Sequence, residues 1–165
     1  MNRREALERV ALVLGGTVIG GAAFLDEVAE TIIPTTDTPG AKAAKVGEFM
    51  NVMVTDCYEA KDQKIFTEGL GQIDAAAKHM YSKGFMDITP EQRTGLLNQV
   101  NKELKAYNDS KKDNDPNHYF GMMKQLTLLG YFTSEVGATK ALRYVAVPGK
   151  YEGCIPYAKG DRAWA

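Results

Sequence analysis

The chain has 165 residues, of which 44% are hydrophobic and 25% charged. That is the size and composition of one ordinary globular domain, and it excludes a disordered tail, a collagen-like chain and a multi-span membrane protein. Twenty Lys and Arg against 21 Asp and Glu leave a net charge of −1, a balance that argues against nucleic acid as partner.

The first 25 residues are unlike the rest. A basic start containing Arg3, Arg4 and Arg9 leads into VALVLGGTVIGGAAFL, 16 uncharged residues at positions 10–25. Basic n-region followed by apolar h-region is the layout of an export signal. Arg3-Arg4 with Leu7 behind them resembles the twin-arginine signal, which carries folded proteins across the bacterial inner membrane. A helix over residues 6–25 would be about 30 Å long, enough to span the hydrocarbon core, with the arginines held cytoplasmic and the remainder periplasmic. The segment is thus expected to be an export signal or a retained membrane anchor, and a core helix is the bland alternative.

From residue 25 the pattern is helical. Apolar residues at 25, 28, 29, 32 and 33 stop before Pro34, and Thr35 to Gly40 reads as a loop. Phe49, Val52, Met53, Asp56 and Cys57 follow at helical spacing and predict a short helix with Cys57 on or beside its apolar face. Asp62 then opens a long helix striped by Phe66, Leu70, Ile73, Ala77 and Met80 or Tyr81, with Gly84 as its C′ residue. Thr89-Pro90-Glu91-Gln92 is a capping-box start, with Leu96, Leu97, Val100, Leu104 and Tyr107 behind it.

Residues 108–117 contain no apolar side chain and predict a solvated loop, whereas residues 118–129 are apolar on nearly every side and predict a buried central helix. After Ser134-Glu135 a short helix is expected to reach Leu142. Residues 144–165 have no period of 2 or 3.6 and are rich in Gly, Pro and aromatics. The reading is an all-α fold: a signal or anchor over 1–25, an irregular helical bundle over 26–143, and an extended tail over 144–165 expected to contact a partner.

Reactive chemistry is sparse. His79 and His118 lie far apart, neither with a second ligand at i+3 or i+4, and there is no C-x-x-C-H, G-x-G-x-x-G or P-loop. No catalytic, cofactor or metal residues are therefore assigned. For Cys57 and Cys154 three states fit an exported chain: an internal disulfide closing a loop of about 98 residues, a bond to a partner through Cys154, or two free thiols.

With the arginine pair, E-T-I-I-P at 30–34, T-D-T-P-G-A-K-A-A at 36–44, L-T-L-L-G-Y-F-T-S-E-V-G-A-T at 126–139 and R-Y-x-x-V-P-G-K-Y-E-G-C at 143–154, the chain resembles the gluconate 2-dehydrogenase subunit 3 family. The resemblance implies a small helical, exported, non-catalytic subunit on the periplasmic side of the inner membrane. It would accompany a flavoprotein dehydrogenase of the glucose-methanol-choline type, with FAD in that subunit and haem c in a cytochrome c subunit. Family members usually carry a longer linker between the signal and the E-T-I-I-P helix, which leaves the anchor boundary open here. A membrane-tethered structural subunit of another electron-transfer assembly is the alternative.

For the tail aromatics Tyr151, Tyr157 and Trp164, together with Cys154, a partner interface is favoured because extended segments bind by wrapping. Tyr131 and Phe132 are candidates for the same interface, with internal packing the competing reading.

Overall fold

A computed structural model of the chain describes residues 21–151 and 153–164. The export-signal residues Arg3, Arg4 and Leu7, and the predicted signal or anchor over most of its length, lie outside these. Among the described residues the fold is all-helical, with no strand beyond one isolated bridge. The helices are α1 (Gly21–Ile32), α2 (Val46–Cys57), α3 (Ala60–Tyr81), α4 (Pro90–Ser110) and α5 (Tyr119–Phe132), with a 3-10 turn at Phe85–Asp87 and a π-helical turn at Gly137–Ala141. No described helix is long and apolar enough to cross a membrane.

Helix α1 buries Phe24, Leu25, Val28 and Ala29. Phe24 packs its ring on Phe85 at 4.9 Å between centroids. The helical domain therefore takes in Phe24 and Leu25, and the boundary expected after residue 25 moves earlier. The reason is physical: the apolar run of the N-terminal segment continues into the core stripe, so hydropathy carries no mark where one ends.

Helix α3 buries Phe66, Leu70, Ile73 and Ala77 of the predicted stripe and adds Gly69, while at its end Tyr81 is half-buried and Met80 exposed. Asp62 lies in its first turn rather than capping it, since Glu59 holds the N-cap position. Its left-handed stop is Ser82, at φ 56°, and not Gly84, whose φ is −64°. Ser82 donates its N–H back to Lys78 O, closing the last turn. Asp74 then accepts the Phe85 N–H at 2.9 Å and turns the chain toward α4.

Helix α4 begins with the predicted capping box. Thr89 Oγ1 accepts the Gln92 N–H at 3.3 Å, and Gln92 Oε1 accepts the Thr89 N–H at 3.0 Å. Leu96, Leu97, Val100 and Leu104 are buried behind it, while Tyr107 is half-buried with its hydroxyl donated to Pro116 O.

Helix α5 is capped by His118, whose Nδ1 accepts the Phe120 N–H at 3.2 Å. It packs against all four other helices, and Tyr119, Phe120, Met122, Met123, Leu126 and Tyr131 are buried. One side nevertheless stays open, where Leu128, Leu129 and Phe132 are exposed. Apolarity on every side marked the helix as central, but it could not reveal that one sector meets no other helix.

Helix α2 corrects the predicted face. Val46, Met50 and Val54 are buried and Phe49 and Met53 of the expected face pack half-buried on the core, whereas Val52, Asp56 and Cys57 are exposed. Apolar residues crowd 46–54 densely enough for two stripes, and packing against α1 and α5 buries the other one more deeply.

Candidate partner interface

The motifs quoted above are first of all architecture. Three carboxylates of α1 staple the following loop and α2 in place. Asp26 accepts the Gly47 N–H at 2.9 Å. Glu27 is paired with both Lys42 and Arg93. Glu30 accepts the Thr35 N–H at 2.9 Å, the Thr35 hydroxyl at 2.7 Å and the Lys42 N–H at 2.8 Å. Burial works against ionisation of Glu30, but these donors and the Lys42 charge outweigh it and hold the carboxyl below its ordinary range. Gly40 and Gly47 allow this closeness, because a Cβ at either would lie 2.5 Å from the Glu30 or Asp26 carboxylate oxygens.

The block around Gly130 is a turn of equal specificity. A Cβ at Gly130 would lie 2.5 Å from the Phe49 ring, and one at Gly137 1.9 Å from Tyr131 O. Ser134 bridges the turn, donating its hydroxyl to Tyr131 O and accepting the Gly137 N–H. Tyr131 is 2% exposed, with its hydroxyl on Pro39 O. It belongs to the core of this structure, which is the internal packing that competes with an interface role for this residue. Phe132 touches Tyr131 edge-on at 5.2 Å but is exposed on its other side, beside Leu128 in the helical register.

Beyond Leu142 the described residues form no helix. Arg143 N–H donates to Ala163 O at 2.8 Å, within a parallel bridge between Arg143 and Trp164. The Arg143 guanidinium sits 4.6 Å over the Trp164 ring. Its Nε is buried without a hydrogen-bond partner. Arg162 reaches back to the carbonyls of Thr139 and Lys140, the C-terminal end of the π turn, where a cation is favoured.

This loop carries the largest apolar exposure of the described surface. Tyr151 is 96% exposed, Tyr157 74% and Trp164 53%, with Val145 and Val147 open as well. Between them lies an open groove of about 710 Å³ lined by Val145, Pro148, Gly149, Lys150, Tyr151, Ile155 and Trp164. Its contiguous apolar exposure makes this loop the candidate partner surface of the described residues.

Cys57 and Cys154 are both free thiols and both exposed, so no internal disulfide joins them in this structure. Cys57 lies 3.9 Å from Met53 Sδ. His79 is exposed, and His118 serves as the α5 cap while stacking on Tyr119 at 4.5 Å. Burial lowers the His118 pKa, with Glu103 acting in opposition. Among the described residues no three His, Cys, Asp or Glu side chains gather as a metal site.

The fold and its surface thus define a small helical module with a tightly stapled body and an aromatic loop left open. The chain belongs to the gluconate 2-dehydrogenase subunit 3 family, whose model matches residues 21–149. Neither the curated proteins nor the solved structures contain a significant match to it.

Sequence reasoning singled out Tyr151, Tyr157 and Trp164, and the structure brings Tyr151 and Trp164 to one groove. It missed Val145, Val147, Leu128 and Leu129, since an exposed aliphatic residue looks the same in sequence as a buried one. The close-approach glycines had no signal in a single sequence either.

Proposed function

We propose that this chain is the non-catalytic small subunit of a periplasm-facing dehydrogenase complex whose catalytic subunit is a flavoprotein of the glucose-methanol-choline type. The observation that carries the reading is the open aromatic groove of residues 145–164 on a chain of this family. In such a complex FAD resides in the flavoprotein and haem c in a cytochrome c subunit. This chain contributes the export signal, the attachment to the membrane and the stabilisation of the folded catalytic partner.

Arg3 and Arg4 are the residues of the signal, and their role is tested by replacing both with Lys. The expected outcome is that this chain and its partner remain together in the cytoplasm. Arrival of the partner in the periplasm with both arginines replaced rules out shared export.

The assembly itself is tested by purifying the chain from its native membrane fraction and recording flavin absorbance. A stoichiometric flavoprotein is expected, while the isolated chain holds no flavin and oxidises no sugar or alcohol. Flavin or turnover in the isolated polypeptide overturns the non-catalytic role. Consistent absence of a flavoprotein supports instead a structural subunit of another electron-transfer assembly.

A further inference from the structure

The charges of the chain are unevenly divided. Residues 21–139 contain 12 Lys and Arg against 17 Asp and Glu, a net −5, whereas residues 140–165 contain five against two, a net +3. The five cations are Lys140, Arg143, Lys150, Lys159 and Arg162. One of the two acidic residues, Asp161, is engaged within the loop, where it accepts the Ala158 N–H at 2.9 Å. Neither Arg143 nor Arg162 is paired with a carboxylate among the described residues: one stacks on Trp164 and the other holds backbone carbonyls. Lys140 and Lys159 are exposed. The aromatic groove is therefore carried on a segment of net positive charge, with Lys150 in its lining and Arg143 over Trp164, on a body that is otherwise acidic.

We infer that residues 140–164 are a cationic docking strap that takes an acidic surface segment of the flavoprotein, seating that segment's apolar side chains in the groove and pairing its carboxylates with the strap's cations. The inference rests on the partner reading above and adds the chemistry of the partner's face. Charge complementarity of this kind sets register and association rate while the apolar groove supplies affinity. A concave site suits a polypeptide ridge better than a flat lipid surface, and the half-covered Trp164 lies under Arg143 rather than projecting as a membrane anchor.

The test uses the intact complex. Zero-length carboxyl-to-amine crosslinking is expected to join Lys140 or Lys159 to Asp or Glu residues of the flavoprotein. Lys140→Glu combined with Lys159→Glu is expected to raise the dissociation constant about tenfold, while Lys61→Glu with Lys64→Glu on α3 leaves it unchanged. If the double reversal disturbs folding by circular dichroism, the salt dependence of the wild-type complex decides. A dissociation constant that rises between low and high salt supports the strap, and one that stays constant overturns it.

Full affinity in the double reversal also overturns the strap while leaving the partner reading intact. So do crosslinks that join the strap to a second copy of this chain, or binding that goes only to phosphatidylglycerol vesicles. Absence of any flavoprotein from the wild-type preparation defeats the partner reading itself, a result distinguishable from all of these.

Discussion

The Tyr131 hydroxyl donates to Pro39 O at 2.6 Å, tying the end of α5 to a loop 92 residues earlier. Tyr131→Phe keeps the buried ring and removes only this bond. The expected loss is about 1 kcal/mol of unfolding free energy, measured by urea denaturation. No loss at all would show that water replaces the hydroxyl without cost.

Two glycines of α3, two positions apart, are expected to respond in opposite directions. A Cβ at Gly69 would lie 2.5 Å from the Tyr119 ring, whereas at Gly71 it meets nothing within 4 Å. Gly69→Ala is expected to destabilise by about 1–3 kcal/mol through overpacking. Gly71→Ala is expected to stabilise by roughly 0.5–1 kcal/mol through helix propensity. Thermal melts of the two variants side by side check the pair, and shifts of the same sign contradict the packing.

Glu27 holds Lys42 from the loop and Arg93 from α4 on a single carboxylate. Arg93 also donates to the carbonyls of Phe85 and Met86 and lies over the Phe85 ring. Glu27→Gln leaves a mostly covered guanidinium without its counter-ion, so a loss of about 2–4 kcal/mol is expected. Adding Arg93→Met should recover part of it, because the stranded charge is then gone. A double variant less stable than additive would count against the ion-pair account.

His118 supplies the pH dependence. Its pKa is lowered in the fold, chiefly by burial, from an ordinary value of about 6.5. Its Nδ1 can accept the Phe120 N–H only when unprotonated. The unfolded chain then binds the proton more readily, so the contribution is fully present above about pH 6.5 and is lost as pH falls toward the lower folded value. His118→Asn keeps a capping side chain without titrating. Stability measured from pH 8 to 5 should fall less steeply in that variant, and parallel curves would exclude His118 as the source.

Much of the body can be read from sequence because local rules and global packing agree there. Thr89 and Gln92 cap α4 as their identities dictate, and Phe66, Leu70, Ile73 and Ala77 face the core as their spacing dictates. Legibility fails where two local solutions are nearly equal. In α2, Val52 and Val54 are equally apolar, and only the positions of α1 and α5 decide that Val54 is buried. Ser82 and Gly84 are both acceptable chain reversals, and Asp74 capturing the Phe85 N–H settles the path. For the candidate interface, aromatic content identified the region, but separating the open Tyr151 from the buried Tyr131 required the fold.

The two cysteines give a simple chemical readout. Both are free and exposed, so two thiols per chain are expected to react promptly with Ellman's reagent under native conditions. Protection of Cys154 alone on complex formation is the outcome expected if the groove is occupied, because Cys154 adjoins its lining residue Ile155. Equal reactivity of Cys154 with and without partner would place the contact elsewhere.

The pairing of Arg143 with Trp164 closes a ring of 20 intervening residues. Closing a flexible loop of that length costs roughly 2.7 kcal/mol from the logarithmic term alone. Against that stand one backbone bridge, one stacked guanidinium and the Arg162 contacts. The clasp therefore rests on these few contacts, with the Trp164 ring at its far end. Trp164 fluorescence consequently doubles as a gauge of whether the ring is shut, and Trp164→Ala should make the loop more sensitive to proteolysis while the helical body melts unchanged.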